Sequence, residues 1–338
     1  MHLPKLLSIF RRPSAKTSKR ASPSVSSPAP FPSLPQMPAC NPASMLTENP
    51  DYLWDYTPTV HSTVYPSLDP TLFSLPSNFT VLITGAGRGV GRGIALAYAK
   101  AGAGGIIITS RTMEELEKVE REMKAVGKRG LKVVRIRYDV KSEEQAKGVA
   151  ERIWREFGRL DCLVNNAGML PKPERIGESP CSTLETCVQT NMIGPYFLTH
   201  HCLPLLLSSE AGAKAVVSIT SVGAMTVLKG FTGYATTKLG LLRMAEIMQR
   251  EWQDKGLLAY TVHPGSVKTK LSEDGLPELM SIFGDSSDLS GAFVVWLTKQ
   301  RREWLTSRFL SANWDVDELE AMKEGILERD ALKMRMVR

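Results

Sequence analysis

The chain has 338 residues, 43% of them hydrophobic, enough for a sizeable core in one large domain or two ordinary ones at about 150 residues each. No run approaches the roughly 20 apolar residues needed to span a bilayer, which argues against a helical membrane protein. Of the formal charge of +7, six units reside in the first 47 residues, where Lys5, Arg11, Arg12, Lys16, Lys19 and Arg20 meet no acid; the remaining 36 basic and 35 acidic residues leave no electrostatic footprint for nucleic acid.

Residues 1–50 hold ten of the 21 prolines and nine serines and read as a disordered basic tail. Leu3, Leu6, Leu7 and Phe10 beside Arg11 and Arg12 form one short apolar face. Three readings stay open for this stretch: a mitochondrial transit segment, a solvated tail on a cytoplasmic protein, or a translation start at Met45. Residues 51–78, with Tyr52, Trp54, Tyr56, Tyr65 and Phe73 among prolines, read as an arm packed on a domain spanning 79–338. The five cysteines, Cys40, Cys162, Cys181, Cys187 and Cys202, are odd in number and lack a C-x2-C pair. That pattern argues against a disulfide framework or a structural zinc site, and fits free thiols in a reducing compartment.

From residue 79, short β-branched runs alternate with longer amphipathic stretches. Strands are predicted at Thr80–Thr84, Gly105–Thr109, Lys132–Tyr138, Cys162–Asn165, Ala215–Thr220 and Leu258–His263. Helices are predicted at Gly91–Ala101, Met113–Val126, Ser142–Phe157, Leu184–Leu207 and Tyr234–Gln253. The alternation implies an α/β fold, a doubly wound parallel sheet of the Rossmann kind, with ligands beyond the carboxyl ends of the strands.

The first strand runs into Thr84-Gly85-Ala86-Gly87-Arg88-Gly89-Val90-Gly91. Glycines there let the backbone approach a pyrophosphate, and the helix behind them presents its N–H groups and positive dipole end. At the end of the second strand an NAD site usually carries an acid for the ribose 2′-hydroxyl. Here stand Thr109-Ser110-Arg111. A guanidinium suits a 2′-phosphate, and Arg88 offers a second cation, so the cofactor is read as NADP(H). Asp139 can accept from the adenine amine.

Tyr234-Ala-Thr-Thr-Lys238 puts a phenol and an ammonium on one face of a helix, where the cation is expected to lower the phenol pKa toward general acid–base use. Ser221 lies thirteen residues upstream and can donate to a carbonyl oxygen. Asn165-Asn166-Ala167-Gly168 ends the fourth strand, Asn191 lies in the following helix, and Pro264-Gly265 ends the sixth strand.

In order and spacing these motifs resemble the short-chain dehydrogenase/reductase family over roughly residues 79–311. The resemblance implies that Tyr234 gives its proton to the substrate oxygen, Lys238 lowers the Tyr234 pKa and holds the nicotinamide ribose, and Ser221 polarises the carbonyl. Asn191 would hold a water that links Lys238 to solvent. It also implies cofactor contacts at Gly85, Gly87, Arg88, Gly89, Val90, Gly91, Ser110, Arg111, Asp139, Asn165, Ala167, Gly168, Tyr234, Lys238, Pro264, Gly265, Val267 and Thr269. Both chain ends depart from the family pattern. The Tyr56–His61 arm, and Ala312-Asn313-Trp314-Asp315-Val316-Asp317-Glu318-Leu319 with a charged helix to about Ala331, resemble a subgroup common in fungi and often found in secondary-metabolite pathways. The extension puts the family's usual tetramer in doubt; a homodimer through the long helices is expected.

The segments expected around the substrate are apolar: Met169, Leu170 and Pro171; Met225, Val227, Leu228 and Phe231; Leu271, Leu276, Leu279, Met280, Ile282 and Phe283. They favour a lipophilic ketone or aldehyde, or the corresponding alcohol in reverse. His200 and His201 point apart on their helix, and no metal site is expected. Two rivals remain: a nonenzymatic NADP(H)-binding sensor, which need not keep the Ser221–Tyr234–Lys238 set, and an epimerase or dehydratase, for which the segment after the sixth strand looks too short.

Overall fold

Runs such as Thr80-Val-Leu-Ile-Thr84 and Gly105-Ile-Ile-Ile-Thr-Ser110 bury residues on both faces, as strands of a parallel sheet covered by helices on both sides must. A computed structural model of the chain describes residues 55–209 and 212–336. Seven parallel strands form one sheet: β1 (Thr80–Thr84), β2 (Gly105–Ser110), β3 (Lys132–Arg137), β4 (Cys162–Asn165), β5 (Ala215–Ile219), β6 (Leu258–His263) and β7 (Phe309–Ser311), in the spatial order β3-β2-β1-β4-β5-β6-β7. The order reverses between β1 and β4, the switch point at which a doubly wound sheet opens a ligand crevice.

Ten α-helices are described: α1 (Gly89–Ala101), α2 (Met113–Val126), α3 (Glu143–Phe157), α4 (Cys181–Val188), α5 (Gly194–Leu207), α6 (Thr232–Trp252), α7 (Lys270–Gly275), α8 (Ser287–Thr298), α9 (Val316–Ala321) and α10 (Lys323–Glu328). Strand alternation divides the core. Val81, Ile83, Ile106 and Ile108 pack with α1, α2 and α8; Leu82, Ile107, Leu163 and Val216 pack with α3, α5 and the Ala245–Met248 side of α6.

Three features differ from the sequence expectation. The long helix over Leu184–Leu207 is broken by a π-turn at Gln189–Ile193, between α4 and α5. The segment behind the sixth strand contains a helix, α8, whose side chains from Leu289 to Thr298 are all buried, so no apolar–polar period marked it. It ends in β7, a short seventh strand beside β6, and the expected charged C-terminal helix is two short ones, divided at Met322.

The arm from Asp55 lies against this C-terminal end. It contains two single 3₁₀ turns, Pro66–Leu68 and Pro70–Leu72, and Val60 makes an antiparallel bridge to the wholly buried Trp314. The basic tail with its transit, tail and Met45 readings, and Cys40, Tyr52 and Trp54, lie outside the described residues. Cys162, Cys187 and Cys202 are buried free thiols and Cys181 an exposed one. Among the described residues no helix is long and apolar enough to cross a membrane, and no cluster of His, Cys, Asp and Glu could hold a metal ion.

Candidate active site

The carboxyl ends of β1, β2, β4, β5 and β6 open into one cleft of about 630 Å³. At its floor the glycine loop leaves β1 and enters α1, which begins at Gly89, two residues earlier than expected. A Cβ on Gly91 would lie 2.4 Å from the Gly85 carbonyl oxygen, and one on Gly85 would lie 3.0 Å from the Ala167 Cα, so side chains are excluded by neighbouring backbone. The loop is tied to the end of β4. The Thr84 hydroxyl accepts from the backbone N–H groups of Asn166 and Ala167 at 2.9 and 3.0 Å, and the Asn166 amide donates to the Thr84 carbonyl at 2.8 Å. This bare backbone at an uncapped helix N-terminus fits the phosphates of a dinucleotide.

On the β2 side, Ser110 and the exposed Arg111 line the cleft with Asp139, whose carboxylate accepts from the Lys141 backbone at 3.0 Å. Arg88 also lines it, but its guanidinium is engaged: Nη1 lies 2.9 Å from Oε1 of Glu115, in the first turn of α2. The carboxylate reaches over the loop, and a Cβ on Gly87 would lie 2.6 Å from Glu115 Oε2. Sequence reasoning missed Glu115 because its first-turn position reads as ordinary helix-dipole complementation.

On the far side, β5 delivers Ser221 and α6 delivers Tyr234 and Lys238 to the cleft wall. Ser221 caps a short 3₁₀ turn by accepting from the Gly223 N–H at 3.1 Å, and its hydroxyl hydrogen-bonds the Tyr234 phenol. Burial pushes the Tyr234 pKa up to about 12, with the Ser221 bond opposing. The expected lowering by Lys238 is not found. The ammonium lies 5.7 Å from the phenol ring centroid and donates to the Ile219 carbonyl at 2.8 Å. Burial lowers the Lys238 pKa to about 8, so the amine remains mostly protonated at neutral pH.

Asn191 and Asn165 do not line the cleft. Asn191 is wholly buried in the π-turn. Its Oδ1 accepts from the Met169 backbone at 2.8 Å, and its Nδ2 donates to the Met169 carbonyl at 3.0 Å and the Thr237 hydroxyl at 3.2 Å. It thus clips the loop following Gly168 to α6. A Cβ on Gly168 would lie 3.2 Å from Asn191 Oδ1 and 3.4 Å from Lys238 Nζ, so the three residues meet closely. Asn165 points to the opposite face of the sheet and donates to the Thr199 hydroxyl of α5 at 3.1 Å; Asn166 lines the cleft in its stead. The last residue of β4 alternates away from its neighbour, and that phase was not readable from the motif.

Pro264, Gly265, Val267 and Thr269 close the site behind β6. Thr269 caps α7 in a capping box with Ser272, and a Cβ on Gly89 would lie 2.9 Å from its methyl group. Unanticipated is His263, buried at the end of β6, whose Nδ1 accepts from the Val222 backbone at 3.3 Å and whose pKa burial lowers to about 4. It fixes the backbone beside Ser221 as a neutral imidazole. Above Tyr234, Phe231, Leu276 and Leu279 form a buried apolar cluster with Leu170, Leu228 and Phe283. Val227, expected there, is 91% exposed.

A family model for short chain dehydrogenases matches residues 79–278. Short chain dehydrogenase mpl6 of Monascus purpureus is 36% identical over 281 residues, covering 82% of this chain and 94% of its own. Short chain dehydrogenase pgmD of Aspergillus terreus is 35% identical, covering 83% of this chain and 94% of its own. Among solved structures, a short chain dehydrogenase of Shigella flexneri complexed with NADP superposes with a TM-score of 0.65 at 25% identity, covering 72% of this chain and 99% of that one. The chain belongs to the short-chain dehydrogenase family, and the two curated relatives named above are fungal. It is accordingly an oxidoreductase that uses a nicotinamide cofactor on CH–OH or C=O groups.

Proposed function

We propose that the protein is an NADPH-dependent reductase of a lipophilic ketone or aldehyde, running in reverse as an alcohol dehydrogenase. The observation that carries this reading is the convergence of Ser221, Tyr234 and Lys238 under the apolar Phe231–Leu276–Leu279 cluster, at the opposite end of one cleft from Arg88 and Arg111. The bound nicotinamide supplies the hydride. The Ser221 hydroxyl holds the substrate oxygen against the Tyr234 phenol, and the phenol donates its proton to that oxygen. A pKa near 12 keeps that proton on Tyr234 at neutral pH, the state a general acid requires. The buried Lys238 ammonium stabilises the phenolate that forms; placed in a low-dielectric wall, it acts more strongly than in water. Asn191 acts on this set indirectly, by fixing Met169 and Thr237 around Lys238. The apolar cluster keeps water from the reacting carbon.

Preference for NADPH rests on Arg111, with Arg88 as a second cation once a 2′-phosphate replaces Glu115 as its partner. The solved relatives from Shigella flexneri with NADP and from Escherichia coli with NADPH favour the same reading. The fungal relatives are consistent with a role in secondary metabolism. The exposed side chains of Met192, Tyr196 and Ile247 support a homodimer through α5 and α6. The test is a fluorescence titration with NADPH and NADH, then a panel of lipophilic ketones followed by loss of NADPH absorbance. Tighter binding of NADPH and turnover of a ketone are expected. Binding of neither nucleotide would overturn the reading; binding without turnover across the panel would favour a sensor.

A further inference from the structure

The two end segments that depart from the family pattern meet each other and then reach the cofactor cleft. Along the arm, the Thr59 backbone and hydroxyl both donate to the Glu318 carboxylate, at 2.8 and 2.7 Å. The His61 N–H donates to the Asn313 carbonyl at 2.7 Å, and the His61 imidazole lies 2.8 Å from the Asp315 carboxylate. Asn313 is the junction. Its buried amide donates to the His61 carbonyl at 2.8 Å and to Asp285 Oδ2 at 2.9 Å. The same Asp285 oxygen accepts from the Ser266 backbone N–H at 2.6 Å, and the Asp285 N–H donates to the Ser266 carbonyl at 3.1 Å.

The loop held in this way is Pro264-Gly265-Ser266, which lines the cleft. Gly265 has φ +87°, and a Cβ there would lie 2.7 Å from Asp285 Oδ2 and 3.2 Å from Asn313 Oδ1. The loop backbone is therefore pressed onto this pair and has a conformation that a side chain would oppose. Topology puts the loop on the β6 side of the switch point, opposite Arg111 just beyond β2. In the dinucleotide reading, which this inference rests on, that is the nicotinamide end.

We propose that Asp285 and Asn313 are positioning residues that couple docking of the N-terminal arm to nicotinamide binding, through the Ser266 backbone. A charge-assisted bond to a backbone N–H is worth more than a neutral one, and an Asp285 carboxylate left without Asn313 would turn from the loop. Coupling of this kind is reciprocal. Cofactor that orders the loop must also strengthen the arm's docking, and the docked arm must strengthen cofactor binding.

The test is amide hydrogen exchange on the full chain with and without saturating NADPH. Slowed exchange at Ser266, His61 and Asp315 together is expected. Slowing at Ser266 with no change at His61 and Asp315 would overturn the coupling, without any variant. The second arm compares the wild type with Asn313→Leu in binding NADPH and the adenosine 2′,5′-bisphosphate fragment, which lacks the nicotinamide end. The variant should bind NADPH about tenfold more weakly while its affinity for the fragment stays within about twofold. Equal losses for both would mean a structural defect and overturn the positioning role, as would unchanged NADPH affinity. Failure of the wild type to bind either nucleotide would instead overturn the dinucleotide reading, and the coupling with it.

Discussion

In the proposed mechanism, a phenol that must donate a proton and a lysine that must remain charged ask opposite things of the same buried wall. Burial raises Tyr234 to about 12 and lowers Lys238 to about 8, because both charged forms lose hydration. The phenol therefore stays protonated well above neutrality, while the ammonium begins to lose its proton near pH 8. In the free enzyme, kcat/KM for carbonyl reduction should accordingly be flat below about pH 7 and fall as pH rises through about 8, as Lys238 deprotonates. A profile that stays flat to pH 10 would contradict this. Tyr234→Phe should lower turnover by at least about a hundredfold, with NADPH affinity within a few-fold of wild type by fluorescence titration. Arg111→Asp should weaken NADPH far more than NADH, because only the former carries the 2′-phosphate; equal losses would refute the assignment. The motif residues were legible because their chemistry constrains residue type and spacing. Glu115 and His263 were not, since one reaches Arg88 across 27 positions and the other depends on the register of β6.

At the scale of elements, the sequence reading placed the six longer strands and the amphipathic helices, and failed where periodicity is absent. Helix α8 is buried all round, so apolar residues fill every face. Its partner α1 is similarly enclosed, and the two backbones approach closely. A Cβ on Gly93 would lie 2.2 Å from the Ser287 carbonyl oxygen, and one on Gly291 would lie 2.4 Å from the Gly93 carbonyl. Gly93→Ala should therefore destabilise the protein by about 1–3 kcal/mol, read as a lower urea midpoint, although alanine is the better helix former. The π-turn at Gln189–Ile193 is a second such case. One extra residue in the helical ladder turns Asn191 onto Met169 and Thr237, and no local composition signals it.

Over the whole molecule, the arm and the C-terminal extension close around Trp314, whose ring packs 5.1 Å from Tyr56 and 6.1 Å from Phe309. At the same edge of the sheet, His263 gives a pH dependence of stability with a definite sign. The folded chain protonates it only near pH 4, the unfolded chain near the ordinary value of 6.5, so the unfolded state binds the extra proton between them. Stability present above about pH 6.5 should be lost as pH falls toward 4, by on the order of 3 kcal/mol. Urea midpoints at pH 7 and pH 5 measure it, and His263→Gln should flatten the difference.

What the sequence by itself determined is local and chemical: which runs are strands, which glycine turn lines the cleft, and which phenol, ammonium and hydroxyl share a site. Those follow from glycine placement, side-chain period and residue type. The tertiary structure decided the rest. It set which face of β4 Asn165 takes, that burial raises Tyr234 with no lowering by Lys238, that Glu115 stands beside Arg88, and that the arm bridges to Trp314 just beyond β7. Each depends on desolvation or on contacts between residues far apart in the chain, and neither is written in a window of neighbouring residues.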